Sequence, residues 1–565
     1  MIFIDLETYY DQNYNLKKLP TMQYIRDPRF QLIGAAVWMP GWKEIRWWDE
    51  TKCRKNLPSM SWDKGAVAHN AMFDGAVLAH RLGITPAKWH DTMLMARYLI
   101  AQGILPPDQG TSLDAVGAPL GLNKLDMEED MEAYAKQDVR IMLNAYKLFR
   151  PQIPEIELDI MDTRIKAATN PVLSLDTALL QEVANREPHP IAKQLRTRSK
   201  FMEALQKLGV EPEYKTSERT GKQTLATAKT DAFMQKLSRH PDPKVRLLHK
   251  LKTEGNSNIN QTRAQRFLDI GAPFPLPLLY YAAHTGRDGG QDKINPQNLP
   301  RGGELRRSIR APEGCKLVIV DSSQIEVRVL AWLAKCKKLI SIFEEDKDPY
   351  VQFAADILYR KDPGAVTKEE RRVAKPPVLA CGYGQSVNGL IQYAEGMGVQ
   401  LDQKTAERAV NGYRKKYHEI PAYWGTLMAQ VEKRGELILP TGRKLTYPDR
   451  FWEGRTLMYK RPQIFSKQYV GQRDKAKIWP GLLAENITQA VARDVVFEQT
   501  MQLKERGWSI VLSIHDEVIL CAREEDAGRA LEDALQAFRT RPEWAPDLPV
   551  DGEGDIYTTY GKTKE

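Results

Sequence analysis

Met1 to Ile4 are apolar and lead directly into Asp5-Leu6-Glu7, a pattern that predicts a buried strand ending in acids. The runs QLIGAAVWM, KEIRWW and GAVAHN predict further strands, whereas MEAYAKQDVRIMLNAYKLF spaces its apolar residues as a helix does. Strands mixed with helices predict an α/β domain over residues 1–150. From about 155 to 265 the pattern turns helical, broken at REPHPIAK, KTSERTGKQT and HPDPK. Beyond PFPLPLLYY strands return: KLVIV at 316–320, ILPTGRKLTY at 438–447 and SIVLSIHDEVILCA at 509–522. Helical stretches from about 340 to 435 and from 480 to 505 interrupt them, which predicts an α+β second half.

A chain of 565 residues exceeds what one core holds, so several domains are expected. The charge is uneven: Arg186 to Arg266 carries 18 Lys and Arg against 8 Asp and Glu, a surplus larger than the net +9 of the whole chain. Such an arm is either a solvated face or the footprint of a phosphate-backbone binder. Cys53, Cys315, Cys336, Cys381 and Cys521 form no C-x-x-C pair and are odd in number, which argues against a disulfide framework or structural zinc. The first residues lack a basic leader, and no run of 18 apolar residues occurs, so a cytoplasmic protein without membrane contact is expected.

The period of two places Asp5 and Glu7 on one face of their strand. Alone this means little, but Asn70-Ala-Met-Phe-Asp74 and Tyr134-Ala-Lys-Gln-Asp138 follow. Together the three signatures resemble the exonuclease motifs of DEDD-type 3′→5′ proofreading nucleases, which implies a ribonuclease H-like exonuclease domain. On that resemblance Asp5, Glu7, Asp74 and Asp138 hold two Mg²⁺ ions, for which Mn²⁺ can substitute, and Tyr134 orients the attacking water. Asn70 is expected to position the strand end bearing Asp74.

KLVIV runs into Asp321-Ser-Ser-Gln324-Ile-Glu326-Val-Arg328, and far downstream His515-Asp516-Glu517 sits between two apolar runs, as at the turn of a hairpin. Between them lie Arg371, Lys375, Leu379 and Tyr383, spaced by four along one side of a helix. These segments resemble motifs A, B and C of family A DNA polymerases. The resemblance implies a right-hand polymerase, with a basic helical thumb at 151–275, palm at 276–340 and 481–565, and fingers with a hairpin insertion at 341–480. It implies a monomer that adds dNTPs to primer-template DNA, with Asp321 and Asp516 holding two Mg²⁺ ions and Glu517 and His515 accessory. Arg371 and Lys375 would clamp the triphosphate, and Glu326, with Gln324 and Tyr383 alongside, would exclude a 2′-hydroxyl. Leu379 stands where many relatives carry an aromatic. Arg287, Gln297, Asn298, Gln489 and Arg328 are expected at the DNA.

Two departures matter. Ser322 replaces a frequent Tyr, and Pro376-Pro377 should kink or break the helix after Lys375, with Leu379 and Tyr383 on a new one. The first catalytic strand begins at residue 1, so no flap-processing nuclease is expected, and the compact layout resembles bacteriophage-type enzymes that replicate a phage genome. A single-subunit RNA polymerase-like enzyme and a nucleic-acid-binding scaffold with an inactive polymerase half are the alternatives.

Overall fold

The structure is a computed structural model and describes residues 1–126, 130–187, 194–195, 197–216, 223–227, 231–253, 259–467 and 473–563. The chain divides into two compact units, one made of Met1–Ser174, Pro273–Leu299 and Ala311–Glu565, the other of Leu175–Ala272 and Pro300–Arg310.

The large unit opens with β1 (Ile2–Thr8), β2 (Leu32–Trp38), β3 (Arg46–Asp49), β4 (Ala66–Ala68), α1 (Ala71–Leu82) and β5 (Trp89–Asp91). The strands form one sheet in the order β3-β2-β1-β4-β5, with β1 antiparallel to β2 and parallel to β4. Helix α2 (Met131–Phe149) packs Val139 and Met142 on Phe3 and Ala36 of that sheet, and α3 (Glu155–Thr169) follows it. Strand β4 pairs only with Ile2 and Phe3 of β1, so the far half of β1 carries its acids beyond the paired edge.

The same unit continues with β6 (Cys315–Ser322), α4 (Ile325–Leu333), α5 (Lys368–Ala380), α6 (Pro480–Glu505), β7 (Ser509–Ile514), β8 (Glu517–Arg523) and β9 (Gly552–Tyr557). The second sheet runs β7-β8-β6-β9, with β6 inside it and antiparallel to both neighbours. Val318 and Val320 face Val518, Leu520 and Phe538 in one core, while α4 buries Ile325 and Val329 against α6 in another.

The expected break at the prolines does not occur. Helix α5 is continuous from Lys368 to Ala380 with Pro376 and Pro377 inside it, and it ends only at a 3₁₀ turn, Cys381–Tyr383. Two interior prolines remove the amides that would reach Arg372 and Val373, at about 3 kcal/mol each. A Thr367–Glu370 capping box fixes the start of the helix, and both proline rings are buried. Burial of apolar side chains at about 1.5–3 kcal/mol apiece is of the size needed to offset that cost. In consequence Arg371, Lys375 and Leu379 share the helix, and Tyr383 stands beyond its end.

One buried ion network ties α3 to the second half of the unit. Arg493 on α6 grips Glu157 on α3 through two bonds of 2.5 and 2.8 Å, and the Tyr280 hydroxyl donates to the same carboxylate at 2.5 Å. Beside it Asp494 accepts from Arg443 at 3.0 Å, and Arg443 also donates to the Thr285 carbonyl at 3.1 Å. Burial alone would raise the Glu157 carboxyl, yet Arg493 and Arg443 hold it below its ordinary value.

The small unit has a core of Phe201, Met202, Leu205, Met234, Leu237 and Val245, with helices Thr177–Asn185 and Ile259–Ile270 packed on each other. Most of the breaks REPHPIAK and KTSERTGKQT lie outside the described residues.

Removing one partner of a buried pair leaves an uncompensated charge, so Glu157→Gln is expected to destabilise the large unit by about 3–5 kcal/mol. The midpoint of its urea-induced unfolding, followed by tryptophan fluorescence, checks this; an unchanged midpoint would refute it.

Candidate active sites

Two clusters of acids occupy the large unit. In the first, β1 carries Asp5 and Glu7, with a register shift between Glu7 and Thr8 where pairing with β2 becomes irregular. Asp74 reaches the same place from the first turn of α1, where its Oδ1 accepts the Leu6 amide at 3.0 Å. That amide lies beyond the reach of β4, so Asp74 completes the strand edge as well as adding a charge. Asp74 is therefore on a helix, and the expectation that Asn70 positions a strand end is corrected: Asn70, at φ 67°, is the left-handed residue that starts α1.

Asp138 arrives from α2, one turn after Tyr134. Its carboxylate meets the ammonium of Lys124 at 2.8 Å, and that ammonium donates to the Tyr134 hydroxyl at 2.7 Å. Burial comes first in raising every one of the four acids, followed by repulsion from neighbouring carboxylates in Asp5 and Glu7. Glu7 is pushed up to about 7 and Asp74 to about 8. Asp5 Oδ2 and Asp138 Oδ1 are buried and find no hydrogen-bond partner among the described residues. Oxygens of this kind, dry and mutually repelling, are the donor set that a hard divalent cation accepts. Among the described residues no three Asp, Glu, His or Cys side chains form a ready ion cage, and the positive charge next to Asp138 is that of Lys124.

Sequence reading missed two residues here. Asp91 accepts the amides of Asn70 at 3.1 Å and Ala71 at 2.8 Å and also caps the next helix through Met93 and Leu94, although burial raises its carboxyl to about 6. An Asp-Thr pair just before an apolar run is a helix-start signal that points to this cap. Nothing local marks Lys124.

In the second cluster Asp321 lies near the end of β6, in register with Glu517 on β8. The predicted hairpin forms from β7 and β8, and its turn holds His515, at φ 55°, and Asp516. The Ser322 amide donates to the Asp516 carbonyl at 2.8 Å, which locks the turn against the end of β6. Burial, first among its causes, raises Asp516, while His515 and Arg287 oppose the shift; burial likewise lowers His515. Glu517 is drawn away into an ion pair with Lys562 at 2.9 Å.

Glu326, in the first turn of α4 after left-handed Gln324, accepts from Arg287 at 2.6 Å and from the Tyr383 hydroxyl at 3.1 Å. Tyr383 is fixed by close approach: a Cβ on Gly481, at the start of α6, would stand 2.0 Å from the Tyr383 carbonyl oxygen. Arg287 follows Gly286, whose φ of 88° turns the chain beside the Arg443 guanidinium. Glu485, which the sequence reading omitted, accepts from Gln489 at 3.2 Å, and burial with the charge of Glu326 raises its carboxyl. Gln297 donates to the Asp288 carbonyl at 2.9 Å, on the 3₁₀ turn that also contains Asn298.

On α5, Arg371 pairs with Asp348 at 2.7 Å and lies over the Tyr350 ring, with the Lys375 ammonium 5.9 Å from the same ring. Leu379 packs against the helical core beside it. Arg328 departs from expectation. It is buried, donates to the Ser323 carbonyl at 2.8 Å and stacks on Phe343, so it braces the start of α4 and is not a free arm for DNA.

Among the described residues no helix is long and apolar enough to cross a membrane. Residues 192–561 match the profile of DNA polymerase family A. DNA polymerase I of Aquifex aeolicus is 24% identical over 537 residues, covering 88% of each chain. The DNA polymerase of Bacillus phage SP02 is 27% identical over 343 residues, 51% of this chain and 52% of that protein. In fold, the chain is similar over its whole length to the polymerase domain of Pol1 from M. smegmatis, solved with DNA primer-template and dNTP, with a TM-score of 0.68, 18% identity and 96% of that chain covered.

A carboxyl raised by burial favours folding below its ordinary pKa and loses that contribution as pH rises through its folded value. Without divalent cations, Asp74→Asn is therefore expected to melt higher than the native protein at pH 8 and no higher at pH 4. Calorimetry at the two pH values checks the sign; a lower melting temperature at pH 8 would contradict it.

Proposed function

Because the chain belongs to DNA polymerase family A, we propose that it extends a DNA primer on a template and removes mispaired 3′ nucleotides in a separate site. The observation that carries the first activity is the lock between β6 and the β7–β8 turn, which brings the backbone of Asp321 and Asp516 side by side on one rigid sheet. The convergence of Asp5, Glu7, Asp74 and Asp138 around Tyr134 supports the second.

Divalent cations, Mg²⁺ or Mn²⁺, held by Asp321 and Asp516 and by the four acids of the first cluster, would supply charge neutralisation and activation of a hydroxyl or water. The protein's own part is positioning and electrostatics. Arg371 and Lys375 clamp the triphosphate as a fork and a point charge, which requires Arg371 to leave Asp348. Glu326, held by Arg287 and Tyr383, occupies the space of a 2′-hydroxyl and selects dNTPs. Arg287, Gln297, Asn298 and Gln489 line the primer-template side, and the basic small unit grips duplex backbone as a thumb. In the nuclease site Tyr134 orients the water. The strand order β3-β2-β1-β4-β5, with β2 antiparallel to β1, supports a ribonuclease H-like reading of that domain. Similarity to a phage polymerase supports replication of a phage genome as the setting.

Primer extension tests the two activities independently. Asp321→Asn is expected to lose extension by roughly 100-fold or more while retaining 3′ removal, and Asp5→Ala to do the reverse. Normal extension by Asp321→Asn would end the palm assignment, and removal of mismatched ends by Asp5→Ala would end the nuclease assignment. Glu326→Ala is expected to raise ribonucleotide incorporation relative to dNTPs by roughly 10-fold or more, since a filled space discriminates by a few kcal/mol; unchanged discrimination would leave Glu326 without that role.

A further inference from the structure

Lys124 belongs to none of the acidic signatures, yet it is the cation at the centre of the first cluster. Its ammonium bridges Asp138 at 2.8 Å and the Tyr134 hydroxyl at 2.7 Å, two groups one helical turn apart on α2, and lies 4.7 Å from the Tyr134 ring centroid. The loop that carries it is tied down: Gln137, next to Asp138, donates to the Asn123 carbonyl at 2.9 Å, and the Leu122 amide to the Gly117 carbonyl at 3.1 Å. A lysine on a solvated face has no such anchoring. The side chain of Lys124 is 29% exposed against 4% for Asp138, so its charge enters the dry side of the cluster, where it also counters the repulsion acting on Asp5 and Glu7.

We propose that Lys124 is a positioning residue of the nuclease site, holding the Tyr134 hydroxyl and the Asp138 carboxylate so that a water is presented to the last phosphodiester of a single-stranded 3′ end. This rests on the nuclease reading above. A tyrosine hydroxyl that accepts from an ammonium has its proton turned away from that ammonium, free to bond the water. In the reaction the water oxygen bonds to phosphorus, and the bond from phosphorus to the 3′ oxygen of the preceding nucleotide breaks. That oxygen ends with one of the water's protons, and the Tyr134 hydroxyl keeps its own. The products are a nucleoside 5′-monophosphate and a strand one nucleotide shorter, and Lys124 neither gains nor loses a proton.

The test is digestion of a single-stranded oligonucleotide with Mg²⁺ by the full chain, comparing wild type, Lys124→Met, Lys124→Arg, Tyr134→Phe and the Lys124→Met/Tyr134→Phe double variant. Lys124→Met is expected to lower kcat roughly 10- to 100-fold, with KM and the Kd for the oligonucleotide in EDTA within about twofold of wild type. Lys124→Arg should recover most of the loss, and the double variant should be no slower than the slower single one. If Lys124→Met unfolds, Lys124→Gln carries the same comparison. Wild-type kcat in the uncharged variant, a change confined to KM, or losses that multiply in the double variant would each overturn the assignment while leaving the nuclease reading intact. A wild-type protein that removes no 3′ nucleotide, and is unaltered by Asp5→Ala, would overturn the nuclease reading and this assignment with it.

Discussion

The pair between Glu157 and Arg493 is the joint on which the large unit depends. It is buried on both sides, and each charge stays ionised because the other is present. Through Asp494, Arg443 and the Tyr280 hydroxyl, the same network fixes α3, α6 and the turn that carries Gly286 and Arg287. Helix α6 also supplies Gly481, against which Tyr383 is seated, and Gln489. The residues proposed to sense the primer and the incoming sugar are thus referred to one dry electrostatic anchor. A hydrophobic contact of the same size would hold the elements together without fixing their rotation so tightly.

Both acid clusters follow one design. Carboxylates are mounted on a strand, at a hairpin turn or on a helix, where the backbone is rigid, and burial makes their charges costly. Basic side chains moderate the repulsion in each cluster, Lys124 in the first and His515 and Arg287 in the second. On the function proposed above, a cation or a phosphate of the substrate would relieve that electrostatic cost, and proteins retain destabilising charge where chemistry requires it. Glu517, in register with Asp321, has its carboxylate in an ion pair with Lys562.

Much of this was legible in the chain. The acids Asp5, Glu7, Asp138, Asp321 and Asp516 were readable because strand and helix periodicity are local, and the β7–β8 hairpin follows from two apolar runs around a polar tip. The family A reading agrees with the profile match over residues 192–561. The double proline misled, since local propensity predicts a break, and the packing around the helix comes from the separate helices Pro349–Phe353, Val387–Gly396 and Gln403–Lys416, which a local window does not see. Arg328 misled for a related reason: its position beside a catalytic segment suggests DNA, but its partners, the Ser323 and Phe343 neighbours, turn it inward.

By itself, then, the sequence determined which residue types could do the chemistry, their order, and the elements that carry them, because those properties are written in composition and in periods of two and 3.6. Only the tertiary structure decided that Asp74 caps the open edge of β1, that Asp91 holds the turn before it, that Lys124 stands between Tyr134 and Asp138, and that Glu326 is shared by Arg287 and Tyr383. These contacts join residues from 10 to 68 positions apart in the chain. Their energy depends on burial and on which groups remain unpaired once the chain has closed, and no local pattern encodes either.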